Sequence, residues 1–136
     1  MKVVYFAHSM LDYGGVREYV ALKRLRYLFG SEVVCPNNDL NLGDDINHYR
    51  AYVRVNAWLV VLMVNRRGYV GKGVYCEVEE ARKAGIPVLR IRVDDSWRLL
   101  EPELIEVPDL SALLIGPSWR DYCYLGGDHE TKTPAV

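Results

Sequence analysis

The run Ala57-Trp58-Leu59-Val60-Val61-Leu62-Met63-Val64 contains no polar residue and is crowded with β-branched and long aliphatic side chains. A strand with one wet face alternates apolar and polar positions, whereas one that is apolar throughout is covered on both faces. Such strands belong in the middle of a parallel sheet, and this requirement governs the reading of the rest of the chain. The run is also far too short to cross a bilayer, which takes about 20 apolar residues as a helix.

Shorter apolar runs and helical periods alternate on either side of it. Residues 3–7 are compact, β-branched and aromatic, which predicts a first strand. Gly14 and Gly15 open a helix whose Val16, Tyr19, Val20, Leu22, Leu25 and Leu28 share one face, with Arg and Lys opposite, until Gly30 ends it. Residues 32–35 form a short second strand, and residues 36–45 a polar loop rich in Asn, Asp and Gly. Asp44 or Asp45 caps a helix over residues 46–56, which leads into the third strand, residues 58–64. A loop over 65–73, a helix over 74–84 and a fourth strand over 88–93 follow. The order β-α-β-α-β-α-β predicts an α/β fold: a flavodoxin- or Rossmann-like three-layer sandwich around a mostly parallel sheet of four to five strands. Beyond Asp94 the pattern loosens, with residues 104–107 a candidate fifth strand and 110–115 another short element. One domain is expected over residues 1–125, with 126–136 a polar tail.

Composition narrows the function classes. At 136 residues, half of them hydrophobic, the chain suits one domain with a proper core. The net charge is −1 with acids and bases interspersed, so neither a nucleic-acid polymer nor a membrane surface is an expected partner. Cys35, Cys76 and Cys123 are odd in number and far apart, and no signal peptide is recognisable; a reducing cytoplasm is the expected location. Neither the cysteines nor His48 and His129 show ligand spacing, so no metal is expected. Arg outnumbers Lys and Gln is absent, a composition that fits a thermophilic source.

Chemistry concentrates in residues 71–88. Gly71, Lys72 and Gly73 read as a glycine-rich turn feeding a helix with Glu77 in its first turn, ended by Gly85 before Pro87 and Val88. Such a turn lies at the carboxyl end of the preceding strand, where open α/β sheets bind ligands. The helix N-terminus favours an anion, and the glycines let a ligand approach the backbone. The alternative is that Glu77, like Glu79 and Glu80, only offsets the helix dipole on a solvated face.

Three segments together resemble the nucleoside 2-deoxyribosyltransferase-like superfamily: Val4-Tyr5-Phe6-Ala7-His8-Ser9-Met10, residues 57–64, and Gly73-Val74-Tyr75-Cys76-Glu77 through Ala81, Gly85, Pro87 and Val88. In that family the first strand ends in Tyr-hydrophobic-Ala-Gly-Pro or a variant, and Ala-Asp introduces a central strand. A loop Asp-x-Gly-Thr-x-x-Glu then precedes an alanine-bearing helix and Gly-Lys-Pro-Val. The resemblance aligns the family glutamate with Glu77 and implies that it attacks the anomeric carbon of a deoxyribose. Water or a second nucleobase then resolves the glycosyl-enzyme, and no cofactor takes part. By the same resemblance Tyr5 lines the sugar or base pocket, although an aromatic in a first strand is more often core; His8, after that strand, is a candidate ligand contact or proton donor, against the commoner hydrogen-bonded loop histidine.

This chain departs from the pattern at Gly71, Val74 and Trp58, which stand where the family has the loop aspartate, the loop threonine and the aspartate of Ala-Asp. Lys72 adds a cation beside the lost acid, a change that suits a phosphate. The nucleotide hydrolases of the superfamily are then a comparable parallel, and Ser9 stands where they contact the phosphate. Asp94, Asp95 and Trp97 follow the fourth strand and are candidates for a replacement acid or a stacking ring. The expected partner is a small nucleoside or nucleotide. The opposing reading is a non-catalytic nucleotide-binding or interaction module, with Trp58 filling the space of the lost acid. Family sites are often completed by a neighbouring subunit, and residues 110–125, with Trp119, Tyr122 and Tyr124, are unusually apolar; a homo-oligomer is therefore expected.

Overall fold

The computed structural model describes residues 2–93, 101–107, 110, 113–116 and 120–124. Asp94, Asp95, Trp97, Trp119 and residues 126–136 lie outside the described residues.

The chain is mixed α/β, built on a five-stranded, mostly parallel sheet of Rossmann-like type. Strand β1 (Val3–His8) lies between β2 (Val33–Val34) and β3 (Ala57–Met63), and β5 (Val88–Arg92) follows β3, all four parallel. The edge strand β6 (Glu103–Glu106) runs antiparallel to β5. Helices α1 (Val16–Phe29), α3 (Ile46–Asn56) and α4 (Lys72–Lys83) connect the strands.

The run that reads as a central strand pairs with β1 on one side and β5 on the other. Its side chains divide by parity, as strand geometry requires. Val60 and Leu62 join Tyr5 and Ala7 of β1 in one core cluster with Val53 of α3 and Val74, Val78 and Ala81 of α4. Val61 and Met63 join Val4 and Phe6 in a second cluster with Ala21, Leu22 and Leu25 of α1. Apolar residues are needed on both sides, hence the missing alternation. Trp58 is the exception: 41% exposed at the start of β3, it meets Phe29 edge-on at 5.9 Å and its indole N–H donates to Glu32 at 3.3 Å.

Several boundaries differ from the sequence reading. The second strand shrinks to Val33–Val34 because Gly30–Glu32 forms a 3-10 turn. Part of the expected polar loop is a one-turn helix, α2 (Pro36–Asp39), whose first residue is the proline that suits that position. Asp45, not Asp44, caps α3, its side chain accepting from Asn47 N–H at 2.9 Å.

The largest difference concerns residues 65–73. The tight turn there is Asn65–Tyr69, not Gly71–Gly73: Gly68 has φ 83°, and the Asn65 side chain accepts from the N–H groups of Arg67 and Tyr69, both at 3.0 Å. Gly71 belongs to β4 (Tyr69–Gly71), which pairs with β8 (Asp121–Tyr124); β8 also pairs with β7 (Leu113–Ile115), giving a second, three-stranded antiparallel sheet. The Lys72 N–H donates to Arg120 O at 2.8 Å, so strand pairing holds the chain up to Gly71 and α4 begins at once. At its other end α4 closes as expected on Gly85, φ 73°, with Ile86 N–H reaching back to Ala81 O at 2.8 Å.

The second sheet also absorbs part of the apolar content of residues 110–125. Tyr124 is buried in the main core, and Tyr122 packs on it while stacking on Tyr75 at 4.6 Å. Leu114 and Ile115 remain exposed.

Candidate active site

The strand order reverses at β1. The chain passes from β1 to β2 on one side, then returns to β3 on the other. Open α/β sheets bind ligands at the carboxyl ends of strands flanking such a reversal. Here those ends are His8-Ser9 and Met63-Val64-Asn65, and the Arg17 guanidinium of α1 donates to Val64 O at 3.0 Å.

Glu77 lies on the inner face of α4. Val74, Val78 and Ala81 repeat at helical spacing, and Glu77 falls on the same stripe. The packing that buries those apolar residues carries the carboxyl inside with them, leaving Glu77 7% exposed. Because α4 begins at Lys72, Glu77 sits in the second turn rather than the first. The expected support from free N–H groups and the dipole therefore does not apply, since that effect fades beyond the first turn.

The Glu77 partner is Tyr5, whose hydroxyl donates a hydrogen bond to Oε2. Burial pushes the Glu77 carboxyl up to about 7, with the Tyr5 hydrogen bond pulling the other way. Burial, then the charge and hydrogen bond of Glu77, drive the Tyr5 hydroxyl far above its ordinary range, so Tyr5 is a permanent donor. Tyr13 is pushed up to about 12, by burial first and then by the negative charge of Glu77, with smaller contributions from Tyr49, Cys35 and Glu18. Near-neutral Glu77 can act as an anion or as an acid within a narrow pH range.

The other expected residues divide. His8 ends β1 fully inside, with Nδ1 3.0 Å from Phe6 O and Nε2 2.7 Å from Glu18 Oε2, and its ring stacks on Phe6 at 4.1 Å. Ser9 caps the 3-10 turn Met10–Asp12, its Oγ accepting from Leu11 N–H at 3.1 Å. Lys72 is exposed at the start of α4. Gly71 and Gly73 do not need to be glycine. Neither is among the positive-φ glycines, a Cβ on Gly71 would meet nothing within 4 Å, and one on Gly73 only Ile46 Cδ1 at 3.6 Å. Trp58 lies at the opposite end of β3 from Val64 and does not fill the Glu77 site.

The sequence reading missed a polar cluster on the other side of β1. Glu18 folds back over the amino end of α1, where Oε1 accepts from Gly14 N–H at 3.1 Å and Oε2 faces both His8 and, at 3.0 Å, Asn37 Nδ2. Burial alone would raise the Glu18 carboxyl, but the hydrogen bonds from His8, Gly14 and Asn37 outweigh it and hold the carboxyl below its ordinary value. Cys35 completes the group. Its thiol donates to Asn37 Oδ1 at 3.1 Å, and burial, then the charges of Glu18 and Asp39, push it up to about 11. These residues sit far apart in sequence, where spacing rules see nothing. The one local signal is a glutamate at the third position of a helix, where a side chain reaches back to the entering backbone.

Comparison of the chain with protein-family models, with curated proteins and with solved structures gives no match. Among the described residues, no helix is long and apolar enough to cross a membrane.

Proposed function

We propose that this chain breaks the N-glycosidic bond of a nucleoside or nucleotide, with Glu77 as nucleophile and the sugar passed to water or to a second nucleobase. The observation that carries the reading is the Tyr5–Glu77 pair: a buried carboxyl held by a phenol on the first strand. It joins the first and the last of the three segments that carry the resemblance to the nucleoside 2-deoxyribosyltransferase-like superfamily.

In this reading the ionised Glu77 attacks C1′ of the sugar. The C1′–N bond breaks, its electrons leave with the base, and the base takes up a proton. Water or an incoming base then opens the glycosyl ester, releasing Glu77 as a carboxylate. Tyr5 holds one carboxylate oxygen and directs the other toward the sugar. Burial favours the neutral ester over the anion, which makes the carboxylate more reactive than one in water. The expected three-layer arrangement, with α1 on one face of the sheet and α3 and α4 on the other, would leave the ligand at the carboxyl ends of β1 and β3. Lys72, at the exposed start of α4, suits a 5′-phosphate.

The second reading is a nucleotide-binding module without activity. It draws on the near-complete burial of Glu77 and on Gly71, where the family has an acid. Incubating the purified chain and Glu77→Gln with a panel of nucleosides and 5′-monophosphates, followed by chromatography, separates the two. Release of free base by the wild type alone supports the enzyme; binding without release supports the module.

A further inference from the structure

We propose that His8, Glu18 and Cys35 form a binding site for one divalent transition-metal ion, with zinc the best match. The donor atoms are His8 Nε2, a Glu18 carboxylate oxygen and Cys35 Sγ, all buried and within 4.8 Å of one another. They come from three places that the sheet brings together: the end of β1, the first turn of α1 and the link between β2 and α2. The site goes beyond the glycosidic reading and does not depend on Glu77.

The hydrogen bonds around the cluster orient the donors inward. His8 Nδ1 lies 3.0 Å from the Phe6 carbonyl, an acceptor only, so Nδ1 carries the proton. That leaves the Nε2 lone pair aimed at Glu18 Oε2, 2.7 Å away. Two acceptors face each other, and a cation must lie between them, either a proton or a metal ion. A ring N–H donated to a backbone carbonyl is also how metal-ligating histidines are fixed.

Glu18 has its other oxygen engaged by Gly14 N–H, so one oxygen is held back and one is presented. Asn37 touches two of the three donors, giving a hydrogen bond to Glu18 Oε2 at 3.0 Å and accepting one from the Cys35 thiol at 3.1 Å. Binding would release to solvent both the proton shared by His8 and Glu18 and the thiol proton of Cys35, with a metal–sulfur bond formed in place of the S–H bond.

The mix of nitrogen, oxygen and sulfur decides the metal class. Magnesium and calcium take oxygen shells, whereas imidazole, carboxylate and thiolate together suit zinc or cobalt. Three protein ligands leave a fourth position for water or a ligand, as in catalytic rather than structural zinc sites. Donors of a tetrahedral site lie roughly 3–4 Å apart, so the His8–Glu18 contact would open slightly while Cys35 closes in.

The test uses the untagged chain, stripped with chelator and titrated with Co2+ and with Zn2+. One ion per chain is expected. Its signs are a thiolate-to-cobalt charge-transfer band, two protons released per ion in calorimetry, and zinc-edge X-ray absorption showing one sulfur among nitrogen and oxygen ligands. Cys35→Ser should abolish the charge-transfer band while Cys76→Ser and Cys123→Ser keep it. Asn37→Ala should weaken binding roughly 10- to 100-fold. The wild-type X-ray absorption needs no variant to fold. An all-nitrogen-and-oxygen shell, no saturable binding, or a band that survives Cys35→Ser would overturn the proposal.

Discussion

Replacing Glu77 by Gln should change how stability depends on pH, and in a defined direction. The Glu77 carboxyl is raised from 4.5 to about 7, chiefly by burial. Below about pH 4.5 it is protonated in both folded and unfolded chains and contributes no penalty. As the pH rises, the unfolded chain releases the proton first, so the folded chain binds more protons and stability falls through the window from 4.5 to about 7. At about 1.4 kcal/mol per pH unit, the penalty on the wild type amounts to roughly 3 kcal/mol once both states are ionised. Gln cannot ionise, and its carbonyl still accepts from Tyr5. Urea melts of both proteins at about pH 5 and pH 8 should therefore show the variant gaining roughly 2.5 kcal/mol on the wild type between the two conditions, with unchanged m-values. The Glu18 contribution, present above its unfolded value and lost as the pH falls, is common to both proteins and cancels. A stability difference that does not vary with pH would refute the claim that burial, not the helix dipole, governs this carboxyl.

Further outcomes follow from the same geometry. Tyr5→Phe removes the hydrogen bond that opposes the effect of burial, so the midpoint of that pH dependence should move upward; a downward move would contradict the assigned donor. Gly68→Ala should cost about 1–2 kcal/mol, since φ is 83° there, whereas Gly71→Ala, with open space around its Cβ, should stay within about 0.5 kcal/mol. Equal losses in thermal melts would contradict the placement of the turn. A nucleoside 5′-monophosphate should bind more tightly than its nucleoside, an advantage reduced by salt and by Lys72→Ala in calorimetric titration. Equal affinities would show that Lys72 does not hold the phosphate.

Much of the main sheet was legible because its cause is local. The unbroken apolar run at 57–64 required cover on two faces, and the two core clusters supply it. The spacing of Val74, Val78 and Ala81 carries the inward position of Glu77 as well, although the sequence reading left its face open between a site and solvent. The start of its helix was not, because a strand some fifty residues later sets it: β8 pairs with β4, and Arg120 takes the Lys72 N–H. That pairing moves Glu77 out of the first turn, and burial raises toward neutrality a carboxyl expected to be stabilised there as an anion. The turn glycines were misread for a related reason. Gly71 and Gly73 are conspicuous in sequence, but the residue that needs positive φ is Gly68, ordered by the Asn65 side chain. Glu18 and Cys35 were passed over because nothing along the chain connects them to His8; only the β2-β1 neighbourhood does.

The account stands or falls on a covalent sugar at Glu77. Wild-type chain incubated with the substrate that releases most base should be quenched in acid and examined by intact-mass and peptide mass spectrometry. The account predicts an added glycosyl mass on the peptide that carries Glu77, absent from Glu77→Gln. Base release that continues undiminished in Glu77→Gln, with no adduct on that peptide, would contradict it.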